Sequence, residues 1–288
     1  MSIAARAGDH YIDAQARTRA EFRAESLSQT TAFGNPRSLH ADVQMSVFLS
    51  KSKRAINRAL ARVGHRVDFD SIIPRFDRLA STINGAGLRP RTIFDVGVAA
   101  GTPWLYDAYP EAKYFLIDPT PQSLPLMHDL SQRLNAEVLN IALGDSEGTL
   151  RMKIRPDHSG SSFFEEVGDA EIMEELEVPV RRFDAVIKEF ERPALLKLDV
   201  QGAEIMVLEG IGSRLGDLDV VIVETSLIAT LKNGPEFADV VALMKASNFV
   251  LFDITGVMRR PLDQALAQID AVFVPSDSPL RRDHRWTA

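Results

Sequence analysis

The chain has 288 residues, 45% of them hydrophobic and 25% charged, which is ordinary for a globular protein with a packed core. Its net charge of -7 leaves no overall basic footprint for nucleic acid. The absence of cysteine excludes disulfides, thiolate zinc sites and thiol nucleophiles, and it fits a reducing compartment.

No stretch approaches the roughly 18 consecutive apolar residues that a membrane span needs. The N-terminal "MSIAARAGDHYIDAQARTRA" lacks the apolar centre of a signal peptide. A soluble, cytoplasmic protein is therefore expected. Residues 1–90 contain no convincing strand. "DHYIDAQARTRAEFRAESL" and "ADVQMSVFLSKSKRAINRALARVG" are rich in Ala, Arg, Leu and Glu with spaced apolar positions, and they predict helices. The second gathers Lys51, Lys53, Arg54, Arg58, Arg62 and Arg66. This basic run reads as a solvated helix face packing on the main domain or a partner, with weak membrane-surface contact through 51–66 as the alternative. The apolar positions of this region need covering, which suits a cap or a homodimer arm. The turn residues of "NGAGLRPR" (84–91) then mark a boundary between an N-terminal helical region, 1–90, and a main domain, 91–288.

From Arg91 the texture alternates. Apolar runs at 92–96, 114–118, 137–142, 195–199, 220–225, 249–254 and 271–274 predict strands, with helical patterns at 123–134, 203–215 and 236–247. Such alternation predicts βαβ units and a mainly parallel sheet covered on both faces. The rhythm breaks between 143 and 194. There "GTLRMKIRP" and "EVPVRRFDAVIKEF" predict a hairpin-like insertion at about 146–182 that carries the loop "DHSGSSFFEE".

In an open α/β sheet a ligand sits at the carboxyl ends of the strands, near the point where strand order reverses. "IFDVGVAAGTPWLYDAYPEAKYFLIDP" (93–119) places Gly97 and Gly101 directly after the first strand. Glycine there lets the backbone approach a ligand closely. Asp118 closes the second strand, where a carboxylate can accept from ribose hydroxyls. Together these point to an adenosine-containing ligand. The spacing is D-x-G-x-x-x-G, not the G-x-G-x-x-G of dinucleotide folds. Asp95 would repel a pyrophosphate and suits a cation, such as the amino group of S-adenosylmethionine. A tight turn with no ligand is the competing account of the same glycines.

"DVGVAAGT", "LIDPTPQS", "NIALGDSEGTLRM", "SGSSFFEE", "VPVRRFDAVI", "LLKLDVQGAEIMVLEG" and "VVIVETS" follow one another in this order. Together they resemble the FkbM family of S-adenosylmethionine-dependent methyltransferases over about residues 92–275, most specifically in "LKLDVQGAEIMVLEG". The family commonly has asparagine where Ala99 stands. The resemblance implies a Rossmann-like α/β fold, the class I methyltransferase sheet. Its seven mostly parallel strands carry helices on both faces, here with an N-terminal helical extension. A reversed seventh strand would lie beside the sixth, formed by 249–254 and 271–274 with "TGVMRRPLDQALAQ" between them. It also implies the donor site: Asp95, Gly97, Val98, Ala99 and Gly101 at the methionine end, Asp118 and Pro119 at the ribose. Ala142 and Leu143 would flank the adenine with Asp145 nearby, and Asp199 would face the donor.

A hydroxyl acceptor has to be aligned with the methyl group and has to lose its proton, so a base within hydrogen-bond reach is sought. Asp199, ending the fourth strand, is the first candidate; its competing role is to orient Lys197, Gln201 or backbone amides. Glu224, in "VIVETS", is the second. His158, in the insertion loop, is the third, because histidine titrates near neutrality and such loops carry function. Glu204 opens the next helix and reads as structural. No second carboxylate or asparagine accompanies Asp199 at metal-chelating spacing, so no metal is expected. The expected activity is O-methyl transfer to a sugar, glycolipid, polysaccharide residue or polyketide-type metabolite. An NAD-dependent oxidoreductase and a non-catalytic nucleoside-binding scaffold are the alternatives.

Overall fold

Strands whose residues are apolar at every position can bury both faces only between two helical layers. The computed structural model describes residues 76–155, 161–165, 167, 172 and 174–285. The predicted N-terminal helices, the basic run 51–66 and His158 lie outside the described residues. In chain order the described elements begin with α1 (Phe76–Gly85), β1 (Thr92–Val96), α2 (Pro103–Ala108), β2 (Lys113–Ile117), α3 (Leu124–Ser131) and β3 (Asn135–Leu139). The insertion contributes β4 (Ala142–Leu143), β5 (Gly148–Ile154), β6 (Glu174–Arg181) and α4 (Phe183–Val186). The main sheet resumes with β7 (Ala194–Leu198), α5 (Glu204–Ile211) and a 3-10 turn at Gly212–Asp217, then β8 (Val220–Ser226). It closes with α6 (Phe237–Ala246), β9 (Phe249–Arg259) and β10 (Leu266–Pro275).

The seven-stranded sheet runs β3-β2-β1-β7-β8-β10-β9, and its reversal of strand order falls between β1 and β7. Only β10 is reversed, antiparallel to both β8 and β9. This is the Rossmann-like arrangement that the family resemblance implies. Residues alternate between two cores. Phe94, Val96, Leu196, Leu198 and Val223 pack with Leu208, Ile211 and Met244 of α5 and α6. Ile93, Leu116, Leu195, Ile222 and Val272 pack with Leu79, Leu105 and Met127 of α1, α2 and α3. Phe94 is wholly buried, stacked on Phe115 at 5.1 Å and met edge-on by Phe183 and Phe190, each at 5.0 Å.

Two expectations about extent are corrected. The third strand ends at Leu139 rather than 142, because Asn140 Nδ2 turns to donate to the Asp118 carbonyl at 2.8 Å. Ala142 and Leu143 then pair with β6 in a separate three-stranded sheet, β4-β6-β5, with its own small core around Met152, Ile154, Val178 and Val180. The segment between the last two strands is itself mostly strand: β9 runs to Arg259 and β10 begins at Leu266. Arg260 N–H to the Ala265 carbonyl and the Arg260–Asp263 ion pair close that turn. Among the described residues no helix is long and apolar enough to cross a membrane.

Candidate active site

The cleft lies at the carboxyl ends of β1, β2 and β7, beside the reversal of strand order. The turn after β1 forms one wall. Gly97 has φ +82, and a Cβ on it would lie 1.8 Å from the Asp199 carbonyl oxygen, so only glycine lets this turn pass the end of β7. Ala99 also has positive φ, 41, and its N–H donates to Asp118 Oδ2 at 2.9 Å. The other oxygen of Asp118 accepts from Thr120 N–H (2.8 Å), Thr120 Oγ1 (2.6 Å) and Ser123 Oγ (2.8 Å). One carboxylate thus ties together the turns after β1 and β2. A carboxylate offers about four acceptor positions, so Oδ2 keeps room for a ligand hydroxyl.

Val98, Gly101 and Pro119 line the same cleft, as do Ala142 and Leu143. Ile141, Met152 and Phe163 extend this apolar side, a surface suited to a flat base. The fit to an adenosyl ligand therefore rests on a fixed carboxylate with spare acceptor capacity beside an apolar slot. Asp145 is exposed and away from that lining; its carboxylate accepts from Ser146 Oγ at 2.9 Å. Asp95 stands behind the wall, fully buried. Its carboxylate accepts from Tyr106 OH at 2.5 Å and Thr102 Oγ1 at 3.2 Å, with Lys197 Nζ 3.9 Å away. Burial holds Asp95 above the usual carboxylate range.

At the other side of the cleft, Lys197 Nζ donates to Asp199 Oδ2 at 3.0 Å. Gln201 Nε2 donates both to Asp199 Oδ1 at 2.8 Å and to Glu224 Oε2 at 2.7 Å. Lys197, Asp199 and Gln201 line the cleft; Glu224 is behind Gln201. Gln201 adopts φ 49, and Ser162 Oγ, from the insertion, donates to its carbonyl at 2.6 Å. Burial alone would raise Asp199, but the Lys197 charge and hydrogen bonds from Glu224, Lys197 and Gln201 hold it below the usual carboxylate range. Burial, then the charge and hydrogen bond of Asp199, push Glu224 up to about 9. Near neutrality the pair shares one proton, carried by Glu224, while Asp199 is the anion. Glu204, 5% exposed, accepts from Gly202 N–H at 2.9 Å and is pushed up to about 7 chiefly by burial. It braces the turn before α5.

The structure therefore gathers Asp118, Asp199 and the β1 turn at one cleft and sets Asp95 and Asp145 apart from it. Gln201, Ser162 and Asn140 are further polar residues of this region, beyond the candidate bases and donor contacts. Each had a signal in the motifs, since Gln201 stands inside "LDVQGAE", Asn140 opens "NIALGDSEGTLRM" and Ser162 lies in "SGSSFFEE". An anionic Asp199 opening on a cleft is able to accept a proton from a bound hydroxyl or amine.

A family model described as Methyltransferase FkbM domain matches residues 95–251. No match is found among curated proteins. Among solved structures, the chain is similar to 1,6-didemethyltoxoflavin-N1-methyltransferase of Burkholderia thailandensis, solved with 1,6-didemethyltoxoflavin and S-adenosylhomocysteine. That match has 16% identity, 86% of this chain, 93% of that one and TM-score 0.35. It is similar to magnesium protoporphyrin IX methyltransferase of Synechocystis PCC 6803, solved with S-adenosylmethionine, at 11% identity over 86% of this chain and 100% of that one, TM-score 0.38. A third, a methyltransferase-like protein of Thermobifida fusca, matches at 13% identity over 69% of this chain and 77% of that one, TM-score 0.39. Likeness this distant says nothing of the acceptor.

Proposed function

Since the chain belongs to the FkbM methyltransferase family, whose methyl donor is S-adenosylmethionine, we propose that it is an O-methyltransferase acting on a hydroxyl of a small or carbohydrate-like acceptor. The observation that carries this reading is Asp199: a carboxylate kept ionised by Lys197 and Gln201 and open to the cleft that Asp118 and the β1 turn also line.

In this reading Gly97, Val98, Ala99 and Gly101 support the methionine end, Asp118 and Pro119 the ribose, and Ala142 and Leu143 the adenine. When bound, the donor supplies an electrophilic methyl group. Asp199 accepts the acceptor's proton, and holding the hydroxyl in line contributes much of the rate. Gln201 keeps Asp199 and Glu224 in register, while Lys197 compensates the charge of Asp199. His158 is a second candidate for the proton. A glycan, glycolipid or polyketide-type acceptor agrees with hydroxyl chemistry and with Ser161 in the lining of the cleft.

The test is an acceptor panel of hydroxylated sugars, glycolipids and aromatic polyketides with isotopically labelled methyl donor, and NMR assignment of each labelled product. Methyl on oxygen supports the proposal. Methyl on nitrogen or carbon alone overturns the O-methyl part and leaves the family standing.

A further inference from the structure

Strand register carries the carboxylates beyond the cleft. β7 and β8 pair with Leu198 beside Val223, so the next step brings Asp199 beside Glu224. Across β8, Glu224 pairs directly with Asp270 of β10, and Asp270 pairs with Gly256 of β9. Residues directly opposite in antiparallel strands share a face, with Cβ atoms roughly 4.5–5.5 Å apart. Three acids on adjacent strands thus stand in one row. Gly256 makes room for the last of them, since a Cβ there would lie 1.7 Å from Asp270 Oδ2. Among the described residues no hydrogen-bond donor reaches Asp270, which is half-buried.

The two acids that share a proton, Asp199 and Glu224, are therefore flanked unequally. Lys197, a cation, touches Asp199 at 3.0 Å; Asp270, an acid, faces Glu224 from the other side. We propose that Asp270 is a positioning residue for methyl transfer that acts through Glu224: its negative charge, added to burial and to the charge of Asp199, strengthens the hold of Glu224 on the shared proton and so helps to keep the anion on Asp199 at the cleft. The inference rests on the reading of Asp199 as the base. Among the described residues, the charged and titratable groups facing Glu224 are Asp199 and Lys197 from β7 and Asp270 from β10, and the neutral Gln201 amide bridges it to Asp199. Gln201 donates to both acids, while Lys197 lowers Asp199 and Asp270 raises Glu224, so the two charges act in the same sense. Burial and the Asp199 charge push Asp270 itself up to about 6, so it is mostly ionised at neutral pH while Glu224 is protonated.

The experiment is a pH titration by NMR of the full chain labelled with carbon-13 at Asp and Glu side-chain carboxyls, with the Glu224 signal assigned by its loss in Glu224→Gln. In Asp270→Asn the Glu224 midpoint is expected to fall by about one pH unit, the size expected when one nearby like charge is removed. Asp253→Asn, on the exposed side of β9, serves as the control and is expected to leave the midpoint in place. An unchanged midpoint in folded Asp270→Asn, or an equal fall in the control, overturns the proposal. The wild-type chain offers a measurement independent of any variant's folding. Its Glu224 signal should show a second inflection near the Asp270 midpoint, and a Glu224 signal that shows no inflection there contradicts the coupling. S-adenosylhomocysteine affinity, measured alongside, tests the methyltransferase reading separately, since it does not depend on where this proton resides.

Discussion

Lys197 and Asp199 leave the same face of the sheet at the end of β7 and meet at 3.0 Å, cation against anion, at the edge of the cleft. Burial alone would discharge both groups; their attraction, with Asp95 behind Lys197, keeps both charged. Replacing Lys197 by Met is expected to raise the Asp199 midpoint. Because the base must be ionised, the acid limb of the pH–rate profile should then move to higher pH. A limb that stays in place in folded Lys197→Met would show that Asp199 is not the titrating base.

Asp199→Asn keeps the shape and the hydrogen bond from Lys197 weakly, but it cannot take a proton. Turnover with an acceptor found by screening is expected to fall about 10²–10⁴-fold, the span for general-base removal. Affinity for S-adenosylhomocysteine should change little, because Asp118 and the β1 turn remain. Equal losses in turnover and donor affinity would assign Asp199 to donor binding instead.

Glu224 carries a stability prediction with a definite sign. Its folded midpoint, about 9, lies above the ordinary glutamate value of 4.5. The native state therefore holds a proton that the unfolded chain releases between those values, and stability falls with rising pH across that window. The contribution is fully present below about pH 4.5 and lost as pH passes through about 9. Glu224→Gln, which cannot ionise, should flatten the decline. Urea unfolding at several pH values between 5 and 10 reads this directly, and parallel curves for the two proteins would contradict it.

Ala99 tests the turn. A non-glycine residue in the left-handed region costs about 1–2 kcal/mol, and asparagine tolerates it better than alanine. Ala99→Asn is accordingly expected to stabilise the chain by up to about 1 kcal/mol while keeping the backbone bond to Asp118. Gly97→Ala should do the reverse, since its Cβ would strike the Asp199 backbone. Thermal melts of both variants decide; a stable Gly97→Ala protein with intact donor binding would refute the close-approach argument.

Much of the sheet was legible because β1, β7 and the first half of β8 are buried at every position, and their apolar runs have no other use. The β9–β10 arm was not. Its outer half mixes exposed and half-buried residues, and Gly256 reads as a loop residue until the Asp270 carboxylate above it is seen. The site divides in the same way. Asp118 and Asp199 announce themselves at strand ends. The bridging role of Gln201 depends on Glu224, 23 positions later, a pairing that only the strand order creates. The partners of Asp95 are likewise hidden from the motif: the hydroxyls of Thr102 and Tyr106, one turn apart along α2's start, take its oxygens.

A cleft built for an adenosyl methyl donor is tested most directly by calorimetric titration with S-adenosylhomocysteine, with NADH in parallel. Saturable one-to-one binding of S-adenosylhomocysteine, weakened at least tenfold by Asp118→Ala, is expected, with no heat from NADH. Binding of NADH in place of S-adenosylhomocysteine, or an S-adenosylhomocysteine affinity indifferent to Asp118→Ala, would contradict it.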